Sequence, residues 1–250
     1  MKDIKATTAD ERALLNALQA ATGAQINDWL GAQTLTDIAR QLDLDLWPRS
    51  YIMYGQPVII GNDLLAASPK TGLSGFTNAI SGGFTYPRAE TPCSVLINAG
   101  KALQGGACHA WAGYPETVIY RLADGGFGVK RCLYAADLPD GVRWAVGGMG
   151  LLDMYDPAAE GFCRFQWAGK WYDYSDVLRR TDHTLLGVKG RHVYLCYVSD
   201  MTGAQVNAFA RDKHRFDMAI MLDGGGLAAI NCGAAKRNVY TKQGYILQAI

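Results

Sequence analysis

Along the 250 residues the spacing of apolar positions changes character near residue 48. Before that point apolar residues fall at helical intervals. Leu14, Leu15 and Leu18 follow Thr8-Ala9-Asp10-Glu11, a T-x-x-E capping box in which hydroxyl and carboxylate each satisfy an otherwise orphaned backbone N–H. Gly23 supplies a stop. Leu35, Ile38, Ala39 and Leu42 share one face of a second helix that starts at Thr34, and Pro48 closes the segment. Residues 1–47 therefore predict a small all-helical domain whose core would be thin by itself.

From Arg49 onward, short apolar and β-branched runs alternate with glycine. Tyr51–Tyr54, Val58–Ile60, Ser94–Asn98, Thr117–Leu122, Trp144–Val146, Val193–Val198, Met218–Leu222 and Leu227–Ile230 read as strands. Ser81-Gly82-Gly83, Gly105-Gly106 and Asp124-Gly125-Gly126 read as turns. One helix is legible in this half. Thr202 caps it with Gln205 three residues on, and Val206, Phe209 and Ala210 form its buried stripe. With the strands on either side it makes a β–α–β unit. The expectation is an α+β architecture: a sheet-rich domain over residues 48–250, with this helix packed on the sheet, behind the helical residues 1–47.

Composition narrows the function. Hydrophobic residues make up 49% and charged residues 19%, and the formal net charge of +1 creates no field to attract nucleic acid or an anionic membrane. No apolar stretch has the length of a membrane span. The N-terminus, MKDIKATTADERALLNALQ, carries acidic residues where a signal peptide has its apolar core, so cytoplasmic synthesis without general export is expected. The six cysteines show no C-x-x-C spacing and the four histidines no close pairs, which predicts buried thiols, no metal site and no cofactor.

Candidate chemistry centres on Asp223-Gly224-Gly225-Gly226 at the carboxyl end of the apolar run Met218–Leu222. A carboxylate at a strand end, followed by glycines, leaves room for a ligand to approach the backbone. Asp-Gly is equally a common hairpin turn. The surrounding order tips the balance. Val193–Val198, then Asp200-Met201-Thr202, the helix, and Ile220-Met221-Leu222-Asp223-Gly224-Gly225-Gly226 resemble the phosphodiester glycosidase family, which cleaves N-acetylglucosamine-1-phosphodiesters and whose members read strand, G-M-[ST], helix, A-x-x-L-D-G-G-G-S. Further stretches resemble the family in order: Val95–Gly100 (V-x-N-G-G-F-F), Ala145–Gly148 with Leu151-Leu152, His183–Val188 (R-T-A-I-G), and Arg237-Asn238-Val239 (R-x-V). The resemblance spans residues 90 to 250.

The resemblance implies hydrolysis of the C1–O bond of a sugar-1-phosphodiester. Asp223 would be the catalytic carboxylate and Asn98 a hydrogen-bonding partner. His183, Arg237 and the glycines 224–226 would bind substrate. The chain departs from the pattern at Ala99, Lys101, His183, Asp200 and Leu227, and the losses at Ala99, Lys101 and Leu227 favour a non-catalytic carbohydrate-binding or virion module that keeps the fold. At the other end, Asn27–Thr34 is similar to the D-G-x-x-G-x-x-T turn of small peptidoglycan-binding domains, and is equally a capped helix hairpin for docking or dimerisation. The partners implied are a sugar phosphate or cell-wall glycopolymer, with peptidoglycan a second; a phage product reaching the wall by lysis or in a virion fits that architecture. A hydrolase of a soluble nucleotide-sugar or signalling phosphodiester is the remaining alternative.

Overall fold

The computed structural model describes residues 48–67, 72–84, 94–102, 114–167, 169–173, 175–241 and 243–250. The expected N-terminal helices, the Gly105-Gly106 turn, Cys93 and Cys108 lie outside the described residues.

The strands are β1 (Arg49–Met53), β2 (Gln56–Gly61), β3 (Leu64–Ala67), β4 (Ala79–Ser81), β5 (Leu96–Asn98), β6 (Lys101–Ala102), β7 (Glu116–Leu122), β8 (Phe127–Cys132), β9 (Val142–Gly150), β10 (Arg164–Trp167), β11 (Lys170–Asp173), β12 (Thr181–Lys189), β13 (His192–Met201), β14 (Met218–Gly224), β15 (Ile230–Asn231), β16 (Lys236–Arg237) and β17 (Ile246–Ala249). A large sheet runs β1-β2-β13-β12-β14-β9, and the long β9 continues it to β5 and β6 and to the β7–β8 hairpin. A second sheet runs β16-β15-β4-β17-β3, and β10 and β11 form a separate ribbon. All the pairings are antiparallel.

The two sheets share one core. Ile59, Leu186, Leu195, Ile220 and Leu222 of the large sheet cluster with Ile80, Ile230, Leu247 and Ala249 of the second, and all are essentially inaccessible to solvent. Each leucine and isoleucine among them contributes about 1.5–3 kcal/mol of burial. The other face of the large sheet is covered by the helix α1 (Gly203–Ala208) and its π-type continuation Phe209–His214. Leu186 faces the shared core, so Gly187 faces the helix side, where a β-carbon would stand 2.6 Å from the Phe216 ring. Burial on both faces explains why the central strands read as near-continuous apolar runs.

β13 and β14 both pair with β12, so they run parallel with β12 between them and α1 as their crossover. The helix begins as its sequence dictates. Thr202 Oγ1 accepts the Gln205 N–H (3.3 Å), and Gln205 Oε1 accepts the Thr202 N–H (2.9 Å). Val206, Phe209 and Ala210 are buried. Asp124-Gly125-Gly126 turns between β7 and β8, Asp124 Oδ1 accepting the Gly126 N–H at 2.9 Å. Of the described cysteines, Cys132, Cys196 and Cys232 are buried thiols and Cys163 is half-buried. The expected strand over Leu227–Ile230 is corrected: Gly225–Leu227 form a 3-10 turn, and β15 begins only at Ile230. Gly225 has φ +61, a left-handed conformation that ends the extended chain. No helix among the described residues is long and apolar enough to cross a membrane.

Candidate active site

The carboxyl end of β14 is clamped from both sides. The Asp223 N–H donates to the Gly82 carbonyl (3.2 Å), and the Asp223 carbonyl accepts the Thr184 hydroxyl (3.1 Å). Ser81 Oγ, which lies 3.3 Å from Thr184 Oγ1, accepts the Ala229 N–H at 3.0 Å. The β12–β14 register slips here: Leu185 faces Met221 but His183 faces Gly224. The extra residue in β14 is a bulge, a device that re-aims side chains at a strand end.

Asp223 lines a cleft of about 250 Å³ with Gly224, Gly225, Gly226, His183, Thr181, Arg179, Val177 and Phe84. Its Oδ1 accepts the Gly224 N–H at 2.8 Å, and it makes no ion pair among the described residues. Burial pushes its pKa up to about 7, against the opposing pull of the Gly224 N–H. The carboxyl is therefore poised between its acid and base forms near neutrality, the condition for proton transfer at that pH.

His183 shares the cleft, where burial disfavours its charged form. It is 1% exposed, and its Nε2–H donates to the Met201 carbonyl (2.9 Å), which fixes the tautomer. Its Nδ1 is a buried acceptor without a hydrogen-bond partner. Burial lowers its pKa, outweighing the Met201 carbonyl, so the ring is neutral at pH 7. His183 is thus a wall of the cleft, with its neutral form favoured by burial.

Asn98 and Arg237 are not among the cleft's described walls. Asn98 ends β5, its Nδ2 donating to the Ala66 carbonyl (3.0 Å), and introduces the Ala99-Gly100 turn, both at positive φ. Arg237 sits exposed on β16 opposite Ile230, with Nη1 donating to the Lys236 carbonyl (3.2 Å). Its charge reaches Tyr197, opposing the upward shift that burial gives that phenol.

Arg179, Thr181, Val177 and Phe84 are cleft residues that the sequence reading missed. A signal existed for two of them. Arg179-Arg180-Thr181 precede the apolar run Leu185–Val188, and antiparallel pairing with β14 brings the start of that strand beside Asp223. Phe84 carries no such signal. No group of three or more His, Cys, Asp or Glu side chains able to hold a metal occurs among the described residues.

Gly224 gives a direct test of the packing. Its φ of −140° suits any residue, but a β-carbon would stand 2.7 Å from His183 Nδ1 and 2.9 Å from the Asp182 carbonyl. Gly224→Ala should destabilise by about 1–3 kcal/mol through this overlap, and adding His183→Ala should recover part of the loss. Thermal melting of the parent and the two variants checks it; a Gly224→Ala protein as stable as the parent contradicts the placement of the ring.

No protein-family model matches the chain, and no curated protein matches it in sequence. Solved structures do match in fold. Zebrafish N-acetylglucosamine-1-phosphodiester alpha-N-acetylglucosaminidase, its catalytic domain auto-inhibited by a pro-peptide, superposes with a TM-score of 0.55 at 14% identity over 81% of each chain. A hypothetical protein of Synechocystis gives 0.52 at 10% identity, covering 80% of this chain and 61% of that one. A candidate exported protein of Burkholderia pseudomallei K96243 gives 0.50 at 12% identity, covering 77% and 73%. At such identities the likeness is one of fold.

Proposed function

We propose that residues 48–250 form a phosphodiester glycosidase domain that hydrolyses the sugar C1–O bond of a sugar-1-phosphodiester. The observation that carries the reading is Asp223: a carboxyl at a strand end, in a cleft beside three glycines, with a pKa pushed up to about 7. A phosphate is a good leaving group, so the reaction asks little of a general acid. It needs a carboxylate to activate water or to stabilise an oxocarbenium-like state. Asp223 in its ionised form fills that role, and the neutral His183 offers an acceptor. The fold likeness to the zebrafish enzyme supports the reading.

A cell-wall glycopolymer is the substrate we favour, with residues 1–47 docking on peptidoglycan and a phage as the source. The test is release of a phosphomonoester from a sugar-1-phosphodiester. The expected rate rises as pH passes through about 7 and Asp223 ionises; no release at any pH ends the hydrolase reading. One observation favours the second reading, a binding module. Among the described cleft walls Asp223 is the only carboxylate, whereas glycoside hydrolysis usually employs two. A protein that binds the sugar phosphate and never cleaves its diester would decide for that alternative.

A further inference from the structure

The other end of β14 opens on a second pocket. Met218 and Ala219, at the start of the strand, line a space of about 360 Å³ together with Val129, Leu151 and Phe216. Its volume falls within the roughly 300–1,000 Å³ of small-molecule sites. Asp223 lies towards the far end of the strand, so this space is separate from the cleft. The pocket is preformed. The Leu151 N–H donates to the Ala219 carbonyl (3.0 Å), and the Phe216 ring is stacked on His214 with centroids 4.7 Å apart. The Leu152 N–H donates to Asn207 Oδ1 of α1 (2.7 Å), which fixes the rim. Leu152 and Arg215, both walls, have positive φ of +59 and +53. That backbone costs about 1–2 kcal/mol for a residue other than glycine, and it concentrates where ligands bind.

Four charged side chains border this space: Arg211, Arg215, Asp153 and Asp217. Two are engaged. Arg211 forks onto Asp212 (2.8 and 3.0 Å), and Asp217 Oδ2 accepts the Gly190 N–H (2.7 Å). The side chains of Arg215 and Asp153 make no hydrogen bond or ion pair among the described residues, with each other or with any other group. An exposed charge by itself is ordinary. What sets these two apart is that they stand at one apolar pocket, opposite in sign, without closing on each other. We infer that this pocket binds a small zwitterion of amino-acid type with an apolar side chain, Arg215 taking its carboxylate and Asp153 its ammonium. Leu151, Phe216 and Met218 would cover the side chain. The planar guanidinium meets both oxygens of a carboxylate at once. A lone anion would satisfy Arg215 but face the like charge of Asp153, and a lone amine the reverse; a zwitterion satisfies both. This site does not depend on the reading of the cleft at Asp223.

The test is an NMR titration of the full chain at about pH 6.5, where an α-amino group is protonated. L-leucine is the probe, beside L-leucinamide, which lacks the carboxylate, and isocaproate, which lacks the amine. Millimolar L-leucine should shift the amide signals of Asp153, Arg215 and Phe216 and leave those of Asp223 and Gly224 in place. The two analogues should bind roughly 10-fold more weakly. Arg215→Gln should weaken L-leucine by roughly 10-fold and leave L-leucinamide unchanged, and Arg215→Lys should recover part of the loss. Asp153→Asn should weaken L-leucine about as much and leave isocaproate unchanged. Melting temperatures check that each variant folds. The inference is overturned if L-leucine shifts no signal at the pocket, if isocaproate binds as tightly as L-leucine, or if Arg215→Gln weakens L-leucinamide equally.

Discussion

Asp223→Asn is expected to slow hydrolysis by roughly 10³-fold or more, as loss of other central catalytic groups does, and at the same time to stabilise the protein above pH 7. The two effects share one cause. Burial raises the Asp223 pKa from 3.8 to about 7 in the folded state. The folded protein therefore holds a proton that the unfolded chain releases near pH 4. Stability is unaffected by this group below about 4, falls as pH rises from there to about 7, and stays lowered beyond. Asparagine never ionises and escapes that cost. Because the side chain retains some exposure, the gain is held to about 1–3 kcal/mol.

Other groups shape the background. Glu160 is fully buried and its pKa is likewise raised by burial, so it acts in the same direction. His183 and His214 act oppositely: burial lowers both, His214 to about 4, so their contribution to stability is lost as pH falls below 6.5. Between about 4 and 6.5 these trends offset. From 6.5 to about 7 Asp223 still titrates, and its slope is downward. Melting curves from pH 4 to 9 should show the parent and Asp223→Asn converging at the acid end and separating above neutrality. An Asn variant that is fully active, or less stable than the parent at pH 8, contradicts the assignment.

What the sequence revealed follows from what is local. The Thr202–Gln205 capping box is a matter of three residues, and it forms as written. Val193–Val198 and Met218–Leu222 are buried on both faces, so their apolar runs survive without context. The second sheet is different. β4 spans three residues and β15 two, too few to show a period, and they are held by tertiary bonds such as Asn231 Nδ2 to the Leu73 and Phe76 carbonyls (3.0 and 2.6 Å). β12 contains Asp182, His183 and Gly187, all poor strand signals. Gly187 is there for the Phe216 ring, a partner 29 residues away in sequence.

The site divides in the same manner. Asp223 and its glycines were legible because a strand end and the residues after it are contiguous. Arg179 was not, because its place beside Asp223 depends on the pairing of β12 with β14. The charge of His183 was not legible either: residue type gives a pKa near 6.5, and burial, outweighing the bond to the Met201 carbonyl, is what favours the neutral ring.

The largest loss of stability is expected at Asp63, which plays no part in the cleft. Its side chain is 11% exposed and draws four groups together. Oδ1 accepts the Trp144 Nε1–H (2.7 Å) and the Leu64 N–H (2.9 Å) and pairs with Arg121 Nη1 (3.1 Å), while Oδ2 pairs with Arg143 Nη2 (2.5 Å). Its main chain exchanges bonds with Ile250, N–H to carbonyl in both directions at 2.9 and 3.0 Å. The cluster thus joins the β2–β3 corner and the last residue to β7 and β9. Arg121 is 18% exposed, packs over Phe127 and donates through Nη1 to the Asn62 carbonyl, contacts that hold it in place when the carboxylate is removed. Asp63→Ala would leave the indole N–H of the buried Trp144 without its acceptor and the guanidinium without its counter-ion, bonded to the Asn62 carbonyl alone. A loss of about 3–5 kcal/mol is expected. Arg143 is half exposed and adds little to it. Asp63→Asn keeps an oxygen for the indole and should fall between. Adding Arg121→Met to Asp63→Ala removes the stranded charge and should restore part of the stability. Urea unfolding of the four proteins measures this, and the activity per folded molecule should stay at the parent's level, since the cluster does not touch the cleft. An Asp63→Ala protein within about 1 kcal/mol of the parent would show that the arginines find other partners and that the corner is held by its main-chain bonds to Ile250 alone.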